Sequence, residues 1–243
     1  MALMPRTSRL RRRWSRRIVA ALLGLALTEV GAACGSAQDA PPVPAPSRPS
    51  IRDMPTVALQ VGHWRSNELP GELALMRAQA GATTLEGISE PVVSMAIARA
   101  AKRRLEAAGE LVDLVPATVR PGYRAAAFVS IHADGNPDAT VTGFKVAGPE
   151  RSVRARQLSE LVERSYAART GLPWHPMITD SMTGYYAFNS RRYVHAVDPA
   201  TPGVVVETGF LTNPIDRRVI VDNPDVAAEG IANGVLAFLR RRG

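Results

Sequence analysis

The distribution of hydrophobic residues along the chain predicts four short buried strands. Largely apolar runs, rich in β-branched residues and bounded by turn or polar residues, occur at positions 56–61, 111–115, 128–131 and 204–206. Short runs that lack a strict alternation of apolar and polar positions are typical of strands covered on both faces. The pattern therefore favours a buried, mostly parallel sheet.

Three longer segments show the spacing of amphipathic helices. Between the first two predicted strands, apolar residues recur every three or four positions in segment 90–108, and Gly109 follows as a C-cap. Segment 153–170 ends before Gly171, and segment 224–241 has the same spacing near the C-terminus. Strands that alternate with helices predict an α/β fold, here one domain with a mostly parallel twisted sheet flanked by helices.

The N-terminal region differs in composition from the rest of the chain. Seven arginines in residues 1–34 precede or flank an apolar stretch at 18–27, which is too short for a stable membrane span but suits a signal peptide. A Pro/Ala-rich stretch follows, and proline favours extended, poorly packed backbone. We predict a signal peptide at 1–34, a linker at 35–54 and a folded domain at 55–243. Such a protein would be exported to the cell envelope or secreted.

Cys34 is the only cysteine of the chain and follows the small residues Gly31, Ala32 and Ala33. This arrangement resembles the processing site of bacterial lipoproteins, although that pattern usually has leucine where this chain has Gly31. Two outcomes stay open: a membrane tether through a lipid on Cys34, or simple cleavage of the signal peptide.

The positive charge does not indicate a nucleic-acid partner. The formal net charge is +8, but residues 1–34 hold seven arginines and one acid, so the remainder carries 23 basic and 21 acidic side chains. A nearly neutral body without a basic stripe or a known nucleic-acid motif argues against binding DNA or RNA.

Three chemically reactive side chains follow predicted strands. His63, His132 and Glu207 each come shortly after an apolar run, and the chain has only four histidines. In parallel sheets, the loops after the carboxyl ends of strands open into a shared crevice. We therefore expect these three side chains to lie near one another.

A carboxylate at the start of the first helix would complete a metal site. Catalytic zinc usually has three protein ligands and an open position for water, and two histidines with one glutamate form an established set. Glu90 opens the predicted helix at the same edge of the sheet, while Glu86 is a nearby alternative. An acidic residue in a first turn also stabilises the helix dipole without any metal.

Four motifs share their order with a known family. They are Gly62-His63, the helix start at Glu90-Pro91-Val92-Val93, Ser130-Ile131-His132-Ala133-Asp134, and Glu207-Thr208-Gly209-Phe210-Leu211-Thr212-Asn213-Pro214. This order resembles the zinc-dependent N-acetylmuramoyl-L-alanine amidases, which cleave the amide bond between peptidoglycan glycan and its stem peptide. The resemblance covers roughly residues 57–238 and makes 55–243 an amidase catalytic domain. It implies that His63, Glu90 and His132 bind Zn²⁺ and that Glu207 is the catalytic acid and base.

The chain departs from the family pattern around His63. Gln60 stands where the family usually has aspartate, and Trp64 and Arg65 replace two glycines. We expect altered hydrogen-bond support for the metal ligands and less space beside the metal.

The same residues are compatible with two other functions. A degenerate site would make the chain a non-catalytic peptidoglycan-binding lipoprotein, and a different substrate groove would make it a zinc peptidase of the envelope.

Segment 174–195 holds His175, His195 and several aromatic residues, which suit either surface packing or one wall of a substrate groove. We expect neither of these two histidines to bind metal.

Overall fold

The computed structural model describes residues 57–241. The predicted signal peptide, the linker and Cys34 lie outside the described residues, so the predictions about them remain predictions.

A five-stranded sheet forms the centre of the domain. Its strands are β1 (Val57–Val61), β2 (Val112–Val115), β3 (Ala127–Asp134), β4 (Lys145–Ala147) and β5 (Gly203–Phe210). They lie in the order β2-β1-β3-β5-β4, and all neighbours are parallel except β4, which is antiparallel to β5. The predicted α/β fold with a mostly parallel sheet is confirmed.

Residues 57–241 contain five α-helices: α1 (Glu90–Ala107), α2 (Val153–Thr170), α3 (Asp180–Thr183), α4 (Pro214–Ile220) and α5 (Pro224–Arg240). Short 3-10 helices occupy Ser66–Glu68, Gly71–Met76 and Tyr186–Phe188. The three long helices match the predicted segments. The Ser152 hydroxyl accepts a hydrogen bond from the Ala155 amide at the start of α2, and Gly171 ends that helix with φ 70°.

The two faces of the sheet are covered differently. On one face, strand residues such as Leu59 and Ile131 share the main core with α1, α2 and α5. On the other face, Phe128 packs in a separate cluster with Leu73 and Tyr186, which come from 3-10 helices and loops. The second face therefore owes its cover to irregular segments, and these segments also border the site described below.

The strands extend further than the hydrophobic pattern indicated. Both β3 and β5 continue past the predicted ends at 131 and 206, so His132 and Glu207 lie within strands and not after them. The ladder between these strands persists because its hydrogen bonds come from the backbone, whatever the side chains are. Strand β4, helices α3 and α4 and the three 3-10 helices were not predicted.

None of the helices within residues 57–241 combines the length and the apolar character needed to cross a membrane.

Candidate active site

His63, Glu90 and His132 converge at the carboxyl ends of β1 and β3. One potential ligand atom from each residue lies within 4.8 Å of the other two. The shared carboxylate oxygen is Glu90 Oε1, which lies 2.8 Å from His132 Nδ1 and 3.5 Å from His63 Nε2. The structure thus brings together the three residues that the sequence predicted as metal ligands.

His63 is held in an unusual backbone conformation directly after β1. Its φ is 57°, in the left-handed region that costs a non-glycine residue about 1–3 kcal/mol. In this position its Nδ1 lies 2.7 Å from the carbonyl oxygen of Gln79, which can only accept a hydrogen bond. The proton of a neutral His63 therefore belongs on Nδ1, and Nε2 is left free to face Glu90.

Glu90 is fixed by the backbone on two sides. Its Oε2 accepts a hydrogen bond from the Ala82 amide at 2.9 Å, and its Oε1 accepts one from the Ala133 amide at 3.2 Å. The Ser89 hydroxyl does not cap the helix, and the first-turn amide of Glu90 instead donates to the Ala82 carbonyl. The carboxylate is therefore a rigid group, only 4% exposed as a residue.

The charges of Glu90 and His132 stabilise each other. Burial acts to raise the pKa of Glu90, but the hydrogen bond and charge of His132, together with His63, hold that pKa below its ordinary value. Burial likewise acts to lower the pKa of His132, and the hydrogen bond to Glu90 and the charge of Glu207 raise it. Without a metal, the two side chains form a buried ion pair.

Two glycines leave room for this cluster. A Cβ atom on Gly62 would lie 2.5 Å from His132 Nδ1, well inside van der Waals contact. Gly81 has φ 79°, and a Cβ there would collide with the Glu90 carboxylate and lie 2.9 Å from His63 Cδ2. Any other residue at either position would displace one of the three side chains.

Glu207 lies beside the cluster and not within it. It is the direct register partner of His132 across β3 and β5, so both side chains leave the same face of the sheet. Among residues 57–241 its carboxylate has no hydrogen-bond or ion-pair partner. Burial and the negative charges of Glu90 and Asp134 raise its pKa to about 7, against the opposing effect of His132 and Lys145.

Lys145 was missed by the sequence analysis. It faces Glu207 across β4 and β5, pairs with the Asp134 carboxylate and is only 5% exposed. No motif pointed to it, because the short strand that carries it was not predicted.

Segment 174–195 contributes one side of the pocket over the cluster. Tyr185 and Tyr186 line this pocket together with His63, His132, Leu69 and Met76. His195 instead contacts Glu72, with Nδ1 2.8 Å from Oε1, and the His175 ring packs 5.2 Å from that of Phe210. Neither of these histidines belongs to a group of potential metal ligands in the described part of the chain.

Glu86 and the residues after His63 lie apart from the metal-ligating atoms. The Glu86 carboxylate is 60% exposed and pairs with Arg217 at 3.1 Å. Trp64 packs against the core that the long helices share, and Arg65 pairs with Glu68 on the surface. Neither Trp64 nor Arg65 is among the residues that line the pocket over the cluster, and the expected loss of space beside the metal remains a prediction.

The cluster has the properties of a zinc site. Two imidazole nitrogens and one carboxylate oxygen are the ligands that zinc takes in one established catalytic set. In each of the three residues, the polar side-chain atom that would not bind the metal already has a hydrogen-bond partner. These partners are the Gln79 carbonyl for His63, the Ala82 amide for Glu90 and the Ser130 hydroxyl for His132. Such partners hold metal ligands in fixed orientations. The residues present therefore fit a zinc ion.

Comparison with solved structures shows a shared fold. The N-acetylmuramoyl-L-alanine amidase from Clostridium difficile 630 is 19% identical, with a TM-score of 0.56 over 78% of this chain and 99% of the other. The amidase AmiC2 of Nostoc punctiforme is 23% identical, with a TM-score of 0.56 over 76% and 97%. Ami1 from Mycobacterium smegmatis is 22% identical, with a TM-score of 0.54 over 76% and 97%. No curated protein sequence matches the chain.

The sequence itself matches a family description across most of its length. The match covers residues 57–237, from the first strand to the last helix, and contains all four candidate site residues. This chain belongs to the N-acetylmuramoyl-L-alanine amidase family.

Proposed function

We propose that the chain is a zinc-dependent hydrolase that cleaves the amide bond between N-acetylmuramic acid and the L-alanine of the stem peptide in peptidoglycan. The observation that carries this proposal is the cluster of His63, Glu90 and His132 within 4.8 Å, with Glu207 on the neighbouring strand. Family membership supports amidase chemistry, and the cluster supports the metal that such chemistry uses.

The proposed ligands are His63 through Nε2, His132 through Nδ1, and Glu90 through Oε1. Zinc held there would lower the pKa of a bound water to about 7 and polarise the amide carbonyl. The protein's part is to keep the three ligands rigid, through the Gln79 carbonyl and the amides of Ala82 and Ala133.

Glu207 is the proposed general base and acid. Its carboxylate has no partner in the described chain, so it is free to take a proton from the attacking water. In the metal-free chain burial raises the pKa of this carboxyl to about 7, and a carboxyl of raised pKa is suited to return that proton to the leaving nitrogen of the cleaved amide. The register pairing of Glu207 with His132 on the neighbouring strand supports this role.

The pocket over the cluster is open on the second face of the sheet, between the 3-10 helix at Gly71–Met76 and the tyrosines of segment 174–195. The faces of Tyr185 and Tyr186 would form one wall of the substrate groove, where aromatic rings pack against sugars and peptide stems.

The proposed site of action is the cell envelope. The basic and apolar N-terminal segment has the order of a signal peptide, and peptidoglycan lies outside the cytoplasmic membrane. Lipid attachment at Cys34 would tether the enzyme near its substrate.

Digestion of muropeptides by the full chain, with identification of the products by mass spectrometry, separates the three candidate functions. An amidase releases intact stem peptides that begin with L-alanine. A zinc peptidase cuts within the stem, and a binding lipoprotein retains muropeptides without cutting them. Either of the last two results would contradict the proposal.

A further inference from the structure

The end of β1 carries a buried amide that neither the family motifs nor the proposed chemistry uses. Gln60 is fully buried, 0% exposed, on the face of the sheet below the pocket. It stands where the family pattern has an acidic residue, and the sequence predicts altered hydrogen-bond support for the metal ligands. The structure shows a side chain whose every polar atom is hydrogen-bonded.

The orientation of this amide is determined by two backbone carbonyls. Gln60 Nε2 lies 3.2 Å from the Pro116 oxygen and 3.1 Å from the Ala117 oxygen. Carbonyl oxygens only accept hydrogen bonds, so the NH₂ group must face them. The amide oxygen must therefore point the other way.

The neighbours of that oxygen are consequently donors. Ser130 Oγ lies 2.8 Å from Gln60 Oε1, and the Tyr185 hydroxyl lies 2.9 Å from it. Two oxygens at 2.8 Å need a proton between them, and the amide oxygen has none to give. The single hydroxyl proton of Ser130 is thus committed to Gln60.

The same serine touches a proposed metal ligand. Ser130 Oγ lies 3.1 Å from His132 Nε2. Because its proton is already used, Ser130 can only accept here, and Nε2 must carry the hydrogen. The opposite nitrogen, Nδ1, faces Glu90 Oε1 at 2.8 Å and carries the second proton of the metal-free ion pair, which zinc would replace.

We propose that Gln60, acting through Ser130, fixes the tautomer of His132, so that Nε2 carries the proton and Nδ1 is the nitrogen presented to the metal. Gln60 and Ser130 are positioning residues in this scheme, since neither touches substrate. The proposal rests on the proposed zinc site, and it adds the hydrogen bonds that select which ring nitrogen of His132 binds the metal.

Nitrogen-15 NMR of the zinc-loaded full chain tests the assignment directly, because a protonated and a metal-bound ring nitrogen have different shifts. We expect a proton on His132 Nε2 and zinc on Nδ1. A proton on Nδ1, or zinc on Nε2, would overturn the proposal while leaving the zinc site and the amidase activity intact. Failure of the wild-type chain to bind zinc would overturn both.

Zinc affinity, measured by competition with a chromophoric chelator, tests the hydrogen bonds that connect Gln60 to Ser130 and Ser130 to His132. Ser130→Ala removes the acceptor for Nε2, and Gln60→Met frees Ser130 to donate to Nε2, which drives the proton to Nδ1. We expect each variant to bind zinc about 10- to 100-fold more weakly, the usual scale for partners of metal ligands.

Tyr185→Phe is the matched control, because it removes a donor to Gln60 Oε1 and a long, 3.5 Å contact with Ser130 Oγ, but leaves the contacts of Ser130 with Gln60 and His132 in place. We expect its zinc affinity to stay within about threefold of wild type. Equal losses in Tyr185→Phe and Ser130→Ala, or no loss in Ser130→Ala, would contradict the proposal. If Gln60→Met fails to fold, Ser130→Ala and the NMR assignment still decide the question.

Discussion

Glu207 and His132 are direct partners in the parallel register of β5 and β3, yet only His132 belongs to the cluster of potential metal ligands. In the proposed mechanism, this arrangement separates proton transfer from metal binding. Glu207→Gln should therefore keep about one zinc per chain and lose about a hundredfold or more in the rate of amide cleavage, the common scale for general acid–base catalysis. Metal analysis and rates on the same sample check both parts. Loss of zinc from this variant would instead make Glu207 a ligand.

The same carboxyl should destabilise the metal-free protein at high pH. Its pKa rises from the ordinary 4.5 to about 7 in the folded chain, so the folded state prefers the protonated form. Stability is therefore lost as pH rises from about 4.5 to about 7, by at most about 3 kcal/mol. Glu207→Gln should have a higher free energy of unfolding than wild type at pH 8, and the difference should shrink toward pH 5. Urea unfolding of both metal-free full chains at pH 5 and pH 8 measures this difference in the free energy of unfolding. A difference that does not depend on pH would show that the raised pKa of Glu207 is not the cause.

Glu90 and Glu86 offer a clear contrast between a buried and an exposed carboxylate. Glu90 meets both histidines and two backbone amides, whereas the Glu86 carboxylate is largely exposed and pairs with Arg217. Glu90→Ala should weaken zinc binding by at least about ten- to hundredfold, and Glu86→Ala should change it little. Zinc titration of both variants checks the order. The reverse order of affinities would move the metal site to the loop before α1.

Cys34 gives the test of membrane attachment. If the cysteine receives a lipid, the mature wild-type protein should partition into the membrane fraction and have the added mass of the lipid. Cys34→Ala should then lose both properties. An unchanged mass and an unchanged distribution in the variant would indicate simple cleavage of the signal peptide.

The sequence predicted most of the sheet and the long helices because their signals are local. Strands β1, β2, β3 and β5 contain apolar runs, and α1, α2 and α5 repeat apolar residues at helical spacing. Strand β4 has only three residues, including a lysine, and exists because it pairs with β5. Pairing with a distant strand leaves no periodic pattern to detect.

The candidate site was predictable as a set of residues but not as a network. The motifs named His63, Glu90, His132 and Glu207, and the first three converge in the fold. The carbonyl of Gln79 and the amides of Ala82 and Ala133 take part through backbone atoms, which any residue type would supply. The sequence predicted altered support at Gln60 but not its partners, because the hydrogen-bond partners of that side chain come from segments 56 or more positions away.

The proposed zinc-dependent amidase activity is tested by titrating the metal-free full chain with Zn²⁺ while the release of new L-alanine amino termini from purified peptidoglycan is measured. We expect no release without zinc, a rate that rises with added zinc and levels off at about one ion per chain, and no such rise in the His63→Ala, His132→Ala double variant. Release of L-alanine termini by the metal-free chain, or by the double variant to the same extent as wild type, would contradict it.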